Sequence, residues 1–262
     1  MNAIVEHSQT KKRVAADNGR ESVVTIRDLE KSFGDRDILK KVNLDLFKGE
    51  NLVIIGKSGT GKSVLIKCMV GLIKPDAGHI NILGYDVPYL NEAELNELRL
   101  QVGFSFQGSA LYDSMTVREN LEFPLKRNMK LFDRNKLNDL IIEALEDVGL
   151  AHAVDQFPSE LSGGMKKRIG IARTLILKPK IMLYDEPTAG LDPITSREIN
   201  ELINSVREKY HTSSIIITHD LTCAKQTGDR LVALFNGQIQ VEGSFKEMSQ
   251  VDDPEIKAFF NY

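Results

Sequence analysis

A chain of 262 residues, 42% of them hydrophobic, can bury a full core and suits one large domain or two closely fused subdomains. A formal net charge of −3 excludes the strong basic field expected when nucleic acid is the main partner. The two cysteines, Cys68 and Cys223, stand far apart in apolar surroundings without metal-ligand spacing, so they read as small buried hydrophobes, and their low number suits a reducing cytosol.

Residues 1–22 carry Lys11, Lys12 and Arg13 among polar neighbours and lack the apolar stretch of a signal peptide, so they read as a flexible tail. The apolar runs elsewhere, such as Leu231–Phe235 and Ile215–Ile217, are strand-sized and far short of the ~20 residues of a membrane span. Val23–Ile26 and Asn43–Leu46 read as strands, and Asn51–Ile55 as a strand running into a glycine-rich loop. Val64, Leu65, Cys68, Met69 and Leu72 then recur at helical spacing. Gly78–Val87 reads as strand again, with Ile80 and Ile82 on one face. From about Tyr89 to Ser162 the pattern is helical, and a stripe of Leu137, Leu140, Ile141, Ala144, Leu145 and Val148 ends at Gly149. Lys180–Tyr184 is a buried strand, Asp192 caps a helix opening on Pro193, and Ser213–Thr218 is a further core strand. Arg230–Phe235 and Gln238–Val241 flank Asn236-Gly237, a two-residue hairpin signal. No internal repeat is present.

Three motifs carry chemistry. Gly56-Lys57-Ser58-Gly59-Thr60-Gly61-Lys62-Ser63 matches the phosphate-binding P-loop at each fixed position, between a strand and a helix. Its glycines let backbone N–H groups converge on phosphate oxygens, the helix start adds a positive dipole end, Lys62 adds a charge and Ser63 a hydroxyl for Mg²⁺. Asp185 and Glu186 close an apolar strand at its C-terminal end. Alone they would be a solvated turn; beside a P-loop they become a Mg²⁺ ligand and a polariser of the attacking water. Leu161-Ser162-Gly163-Gly164-Met165 opens a helix, and is either an ordinary capped start or a second anion site serving another copy.

From Val23 onward the chain resembles the ABC ATPase family, whose motifs occur in the family's order. Gln107, in Gly103-Phe104-Ser105-Phe106-Gln107, looks like the glutamine switch residue; Leu161–Met165 is the signature; Ala189-Gly190-Leu191-Asp192 resembles the D-loop; His219 is the switch histidine; and Phe33 matches the ring that stacks on adenine. The resemblance implies an α/β P-loop NTPase, with a RecA-like core, an antiparallel β subdomain and a helical signature subdomain at about 89–176, all within a nucleotide-binding domain of residues 23–252. Residues 253–262 are expected to form a short C-terminal helix. It implies an ATPase, with ATP and Mg²⁺ as cofactors and Glu186, His219 and Gln107 as catalytic residues. Phe33, Gly56, Lys57, Ser58, Gly59, Thr60, Gly61, Lys62, Ser63, Ser162, Gly163, Gly164 and Asp192 would bind nucleotide, and Ser63, Gln107 and Asp185 the metal. ATP would lie between the P-loop of one copy and Ser162, Gly163 and Gly164 of another in a head-to-tail dimer. Met165 departs from the family's usual Gln and cannot make that amide's hydrogen bonds.

A finer resemblance is to the ATPases of bacterial Mla/Mce-type lipid transporters. It rests on Phe106–Val117, on Ser162–Arg168, on Asp192-Pro193-Ile194-Thr195, and on Asp253-Pro254-Glu255 with Phe259-Phe260. It implies a permease partner at the cytoplasmic face of the inner membrane, a periplasmic Mce-domain protein, and in some members a cytoplasmic STAS-domain protein, with no nucleic-acid partner. Leu111, Tyr112 and Met115 form either an apolar groove for a permease helix or plain core. Two other readings stand beside this one. An importer ATPase for another small solute shares all these motifs. A soluble cassette that moves nothing is the rival of another class, although the zinc cysteines, long insertions and second cassette of several such proteins are not found here.

Overall fold

The computed structural model describes residues 19–128 and 134–260, so most of the predicted tail (residues 1–18) and the end of the predicted C-terminal helix (261–262) lie outside the described residues. Strands β1 (Ser22–Phe33) and β2 (Arg36–Phe47) form an antiparallel hairpin. Both run longer than the segments read from sequence. Register shifts between Ile26 and Lys31, with Asp28 at φ 46°, break the alternation that a period-two reading depends on. β3 (Asn51–Ile55) leads into helix α1 (Lys62–Met69). The expected strand over 78–87 is two strands, β4 (Ala77–Ile82) and β5 (Tyr85–Asp86), because Leu83 and Gly84 both take positive φ and turn the chain.

Within the stretch expected to be helical, α2 (Glu92–Gln101) is followed by a strand, β6 (Val102–Ser105). This corrects the boundary at 89: β6 pairs in parallel with β7 (Ile181–Asp185) and belongs to the central sheet. Four residues are too few to show a period, and Gly103 is there for close packing, since a Cβ would press on Thr174 Cγ2 and lie 2.7 Å from Met182 Sδ. The helical part proper is α3 (Val117–Asn128), α4 (Arg134–Glu146) and α5 (Gly163–Leu175), packed through Leu121, Ile141, Leu145 and Ile169. The stripe ends as read: Gly149 has φ 71°, and Leu150 N–H donates to Leu145 O at 2.8 Å.

The remaining elements are α6 (Pro193–Tyr210), β8 (Ser213–Thr218), α7 (Leu221–Thr227), β9 (Arg230–Phe235), β10 (Gln238–Gly243), α8 (Phe245–Met248) and α9 (Pro254–Phe260). One sheet is antiparallel in the order β2-β1-β4-β5; the other runs β10-β9-β3-β8-β7-β6, parallel except for edge strand β10. The parallel strands are buried on both faces, which is why they read as continuous apolar runs. Leu52, Ile54, Leu183 and Ile217 face α1 and the antiparallel sheet, whereas Val53, Ile55, Tyr184 and Ile216 face the other layer with α5 and α6. Both cysteines are buried and unpaired, and burial pushes the Cys68 thiol up to about 11 and the Cys223 thiol to about 12. α9 packs on its own chain: Ile256 is buried and the Phe259 ring lies 6.0 Å from Phe235. Among the described residues no helix is long and apolar enough to cross a membrane.

A buried ion pair joins the two sheets. Glu50 is 3% exposed and accepts from Arg230 Nε at 2.9 Å, Arg230 Nη2 at 3.0 Å and the Phe47 N–H at 3.0 Å. Arg230 also donates to the Asp45 carbonyl at 2.6 Å and to Glu242 at 3.1 Å. Removing the guanidinium leaves the buried carboxylate with only the half-exposed Arg20 guanidinium, 3.8 Å away, as counter-charge. Arg230→Met is therefore expected to cost about 3–5 kcal/mol in urea unfolding, and adding Glu50→Gln to recover part of it. Equal stabilities for Arg230→Met and the wild-type protein would contradict this role for the pair.

Candidate functional site

Parallel strands in register end on one edge. Ile55 pairs with Thr218, Asp185 with Ile217 and Ser105 with Tyr184, so the loops that leave β3, β6, β7 and β8 emerge side by side. A cleft of about 990 Å³ opens there, with Lys57–Gly59, Gly61–Ser63, Gln107, Glu186 and His219 on its wall.

The glycine-rich loop arches tightly. A Cβ on Gly56 would press on the Leu234 carbonyl of β9 and come within 2.9 Å of Thr60 Oγ1. Gly61, at φ 102°, is the N-cap of α1, and the helix N-terminus faces the cleft with its positive dipole end. Lys62 is 6% exposed and its ammonium donates to the carbonyls of Gly56 at 2.6 Å and Lys57 at 3.0 Å. Burial pulls the Lys62 pKa below the usual lysine range, with Glu186 and Asp185 opposing the shift. A cationic side chain and a helix N-terminus around one loop suit a polyphosphate.

Ser63 Oγ donates to Asp185 Oδ1 at 3.2 Å. Burial pushes the Asp185 carboxyl up, the Ser63 hydroxyl bond counteracts it, and nearby Glu186 adds to the rise. This hydroxyl and carboxylate, with the Gln107 amide on the same cleft, are the hard oxygen donors that a small divalent cation takes. Glu186 has φ 49°, an uncommon left-handed conformation for a side-chain-bearing residue, and its N–H donates to Ile217 O at 2.9 Å. That turn brings Glu186 Oε2 to 2.8 Å from His219 Nδ1 and 3.3 Å from the His219 N–H. Phe33 is half exposed on the cleft, and Lys31 Nζ lies 5.2 Å from its ring.

The other predicted nucleotide ligands sit elsewhere in the single chain. Ser162 and Gly163 are exposed at the start of α5, where Ser162 Oγ accepts from the Met165 N–H at 3.2 Å. Gly164 is closely packed, since a Cβ there would press on Thr195 Cγ2. The Met165 side chain is half-buried against the core. Asp192 caps α6, accepting from the Ile194 and Thr195 N–H groups at 3.0 Å, and the Thr195 hydroxyl leads in holding its carboxyl below the usual range. None of these residues lines the cleft that holds Lys62. The sequence reading missed Ile38, Val64, Leu221 and Phe259 on the cleft wall; Phe259 comes from α9, and no local signal places it there.

Leu111, Tyr112 and Met115 differ in burial. Leu111 packs on the core and Met115 is half-buried, whereas Tyr112 is exposed with its ring 5.0 Å from Phe123. Phe104, Phe106, Tyr112, Phe123 and Leu177 line a second cleft of about 340 Å³, beside Gln107.

The ABC transporter family model matches residues 39–189. The chain is 37% identical to the probable ribonucleotide transport ATP-binding protein mkl of Mycobacterium leprae, over 91% of this chain and 68% of that one. It is 38% identical to protein TRIGALACTOSYLDIACYLGLYCEROL 3, chloroplastic, of Arabidopsis thaliana, over 93% of this chain and 74% of that one. The dimeric post-hydrolysis structure of the ATP-binding cassette MJ0796, bound to ADP and Pi, superposes with a TM-score of 0.78 at 31% identity, covering 85% of this chain and 98% of that one.

The contact between Gly56 and β9 gives a direct check. Gly56→Ala is expected to destabilise the fold by about 1–3 kcal/mol, lowering the melting midpoint by roughly 3–10 °C, and to weaken binding of a fluorescent ATP analogue. A variant that melts and binds like the wild-type protein would mean that the Leu234 carbonyl yields freely.

Proposed function

Because the chain belongs to the ABC transporter family and is an ATP-hydrolysing cassette, we propose that it is the nucleotide-binding subunit of an Mla/Mce-type machine that drives phospholipid or other hydrophobic-molecule transport between inner and outer membranes. In this reading ATP enters the large cleft, with Phe33 against the adenine and residues 56–63 around the phosphates. Ser63, Asp185 and Gln107 hold Mg²⁺, which when bound neutralises phosphate charge. Glu186 accepts a proton from the attacking water, and His219, in contact with Glu186, holds that carboxylate in place. Lys62 offsets charge that grows on the transferred phosphoryl group.

The observation behind the dimer is the position of Ser162 and Gly163. They cap a helix whose free N-terminus is exposed and lies off the chain's own cleft, so an anion they hold belongs to a second copy. Two such copies in head-to-tail contact close on two ATP molecules, and loss of the γ-phosphate releases them. The aromatic cleft of Phe104, Phe106 and Tyr112 supports docking of a transmembrane permease helix, and in this reading the subunit is peripheral on the cytoplasmic face of the inner membrane. A periplasmic Mce-domain protein and a cytoplasmic STAS-domain protein complete the proposed assembly.

Support for a lipid cargo comes from the Phe106–Val117 segment and from a relative named for trigalactosyldiacylglycerol. The ribonucleotide in the mycobacterial relative's name favours the alternative, a transporter for another small solute. Affinity capture of the tagged chain from detergent-solubilised membranes separates the two. A multi-span permease with an Mce-domain protein and bound phospholipid is expected; a different permease without lipid would move the cargo to the small-solute class. Glu186→Gln is expected to lower ATP turnover by about 10²–10⁴-fold while retaining nucleotide, and chelation of Mg²⁺ to stop turnover in the wild-type protein. Tyr112→Glu is expected to reduce permease recovery without changing the ATPase rate of the isolated chain.

A further inference from the structure

We propose that Lys167 is a positioning residue for hydrolysis, holding the main chain of Gln107 and Glu186 together through two hydrogen bonds. Its ammonium donates to the Gln107 carbonyl at 2.5 Å and to the Glu186 carbonyl at 3.1 Å. These are the two residues whose side chains reach the cleft from β6 and β7, so one half-buried cation spans both loops from below. The proposal rests on the reading of Gln107 and Glu186 as groups that place the attacking water.

The face of α5 that carries Lys167 is shaped for this loop. Gly170, one turn on, lies under Ser109, where an added Cβ would come within 3.2 Å of Ser109 Cβ. Arg173, a further turn on, donates to the carbonyls of Ala110 at 2.7 Å and Ser109 at 3.2 Å. Spacing of three residues puts all three on one side of the helix. Ser109 and Ala110 both take positive φ, a conformation that costs energy unless the surroundings hold it, and α5 supplies the donors that do so. Glu186 has the same need at φ 49°, and its carbonyl receives Lys167. Because α5 begins at Ser162 and Gly163, the same rigid helix that offers its N-terminus to a second copy also grips the chain's own water-placing loops. A displacement at the N-terminus of α5 thereby reaches Gln107 and Glu186 through one side chain.

The test compares Lys167→Met, Lys167→Gln and Lys167→Arg in the full chain, measuring ATPase kinetics, equilibrium binding of a fluorescent ATP analogue and thermal midpoint. Lys167→Met keeps the aliphatic stem and removes the donors. Its kcat is expected to fall by roughly 10- to 100-fold, with analogue affinity and melting midpoint close to wild type. Lys167→Arg, which keeps charge and donors, is expected to recover at least about a third of the rate, with Lys167→Gln between the two. Turnover within twofold of wild type in both Lys167→Met and Lys167→Gln overturns the proposal. So does a loss of rate that is matched by lost affinity and a lowered midpoint, which marks a merely structural bond. Glu186→Gln run in parallel separates the two levels: if it still turns over, the assignment of Glu186 falls first, and if it is inactive while Lys167→Met is not, only the role of Lys167 falls.

Discussion

Parallel pairing of β3 with β8, and of β8 with β7 and β7 with β6, carries everything else in this molecule. Each strand hands its next residue to the same edge, so side chains far apart in sequence arrive within a few ångströms of each other. The glycine-rich loop needs a strand to its left and right to hold its arch, and β9 supplies a carbonyl where a methyl group would otherwise sit. The carboxylate pair needs the same edge, because the Glu186 N–H bonds the Ile217 carbonyl on β8 while its carboxylate meets His219. Sheet register is thus the upstream cause, and the contacts of Lys62, Ser63 and His219 follow from it.

Much of this could be read directly from the residues, for physical reasons that differ by element. The strands buried on both faces announce themselves as unbroken apolar runs, and β3 and β8 have the bounds expected of them. Asp192 before Pro193, and Gly149 after the stripe, are end signals with local mechanisms, and both operate as read. β6 escaped because four residues between a helix and a loop show no period, and its partner β7 lies far along the chain. The long hairpin of β1 and β2 was underestimated because its bulges interrupt the alternation.

The cleft was legible in part. The glycine loop, the acidic pair and His219 stand at strand ends, where backbone logic alone places them. Phe259 on the cleft wall and Lys167 behind it were invisible from sequence, since each is placed by tertiary packing: Phe259 by α9 folding back on Phe235, Lys167 by α5 bringing its ammonium to the carbonyls of Gln107 and Glu186. Ser162 and Gly163 form a third case, a motif whose pattern was plain and whose residues lie outside the single chain's cleft.

The place of β3 in the sheet also bears on how the chain comes into being. Its two neighbours are β8 and β9, both late in the sequence, so a nascent chain emerging from the ribosome presents β3 with two unsatisfied edges until residues 213–235 have been made. Pairings of such long sequence separation form slowly. During synthesis the stretch Leu52–Ile55, wholly apolar, is open to pairing with other chains. The feature that assembles the site in the finished protein leaves the unfinished one with an apolar strand open on both edges until its C-terminal half is made.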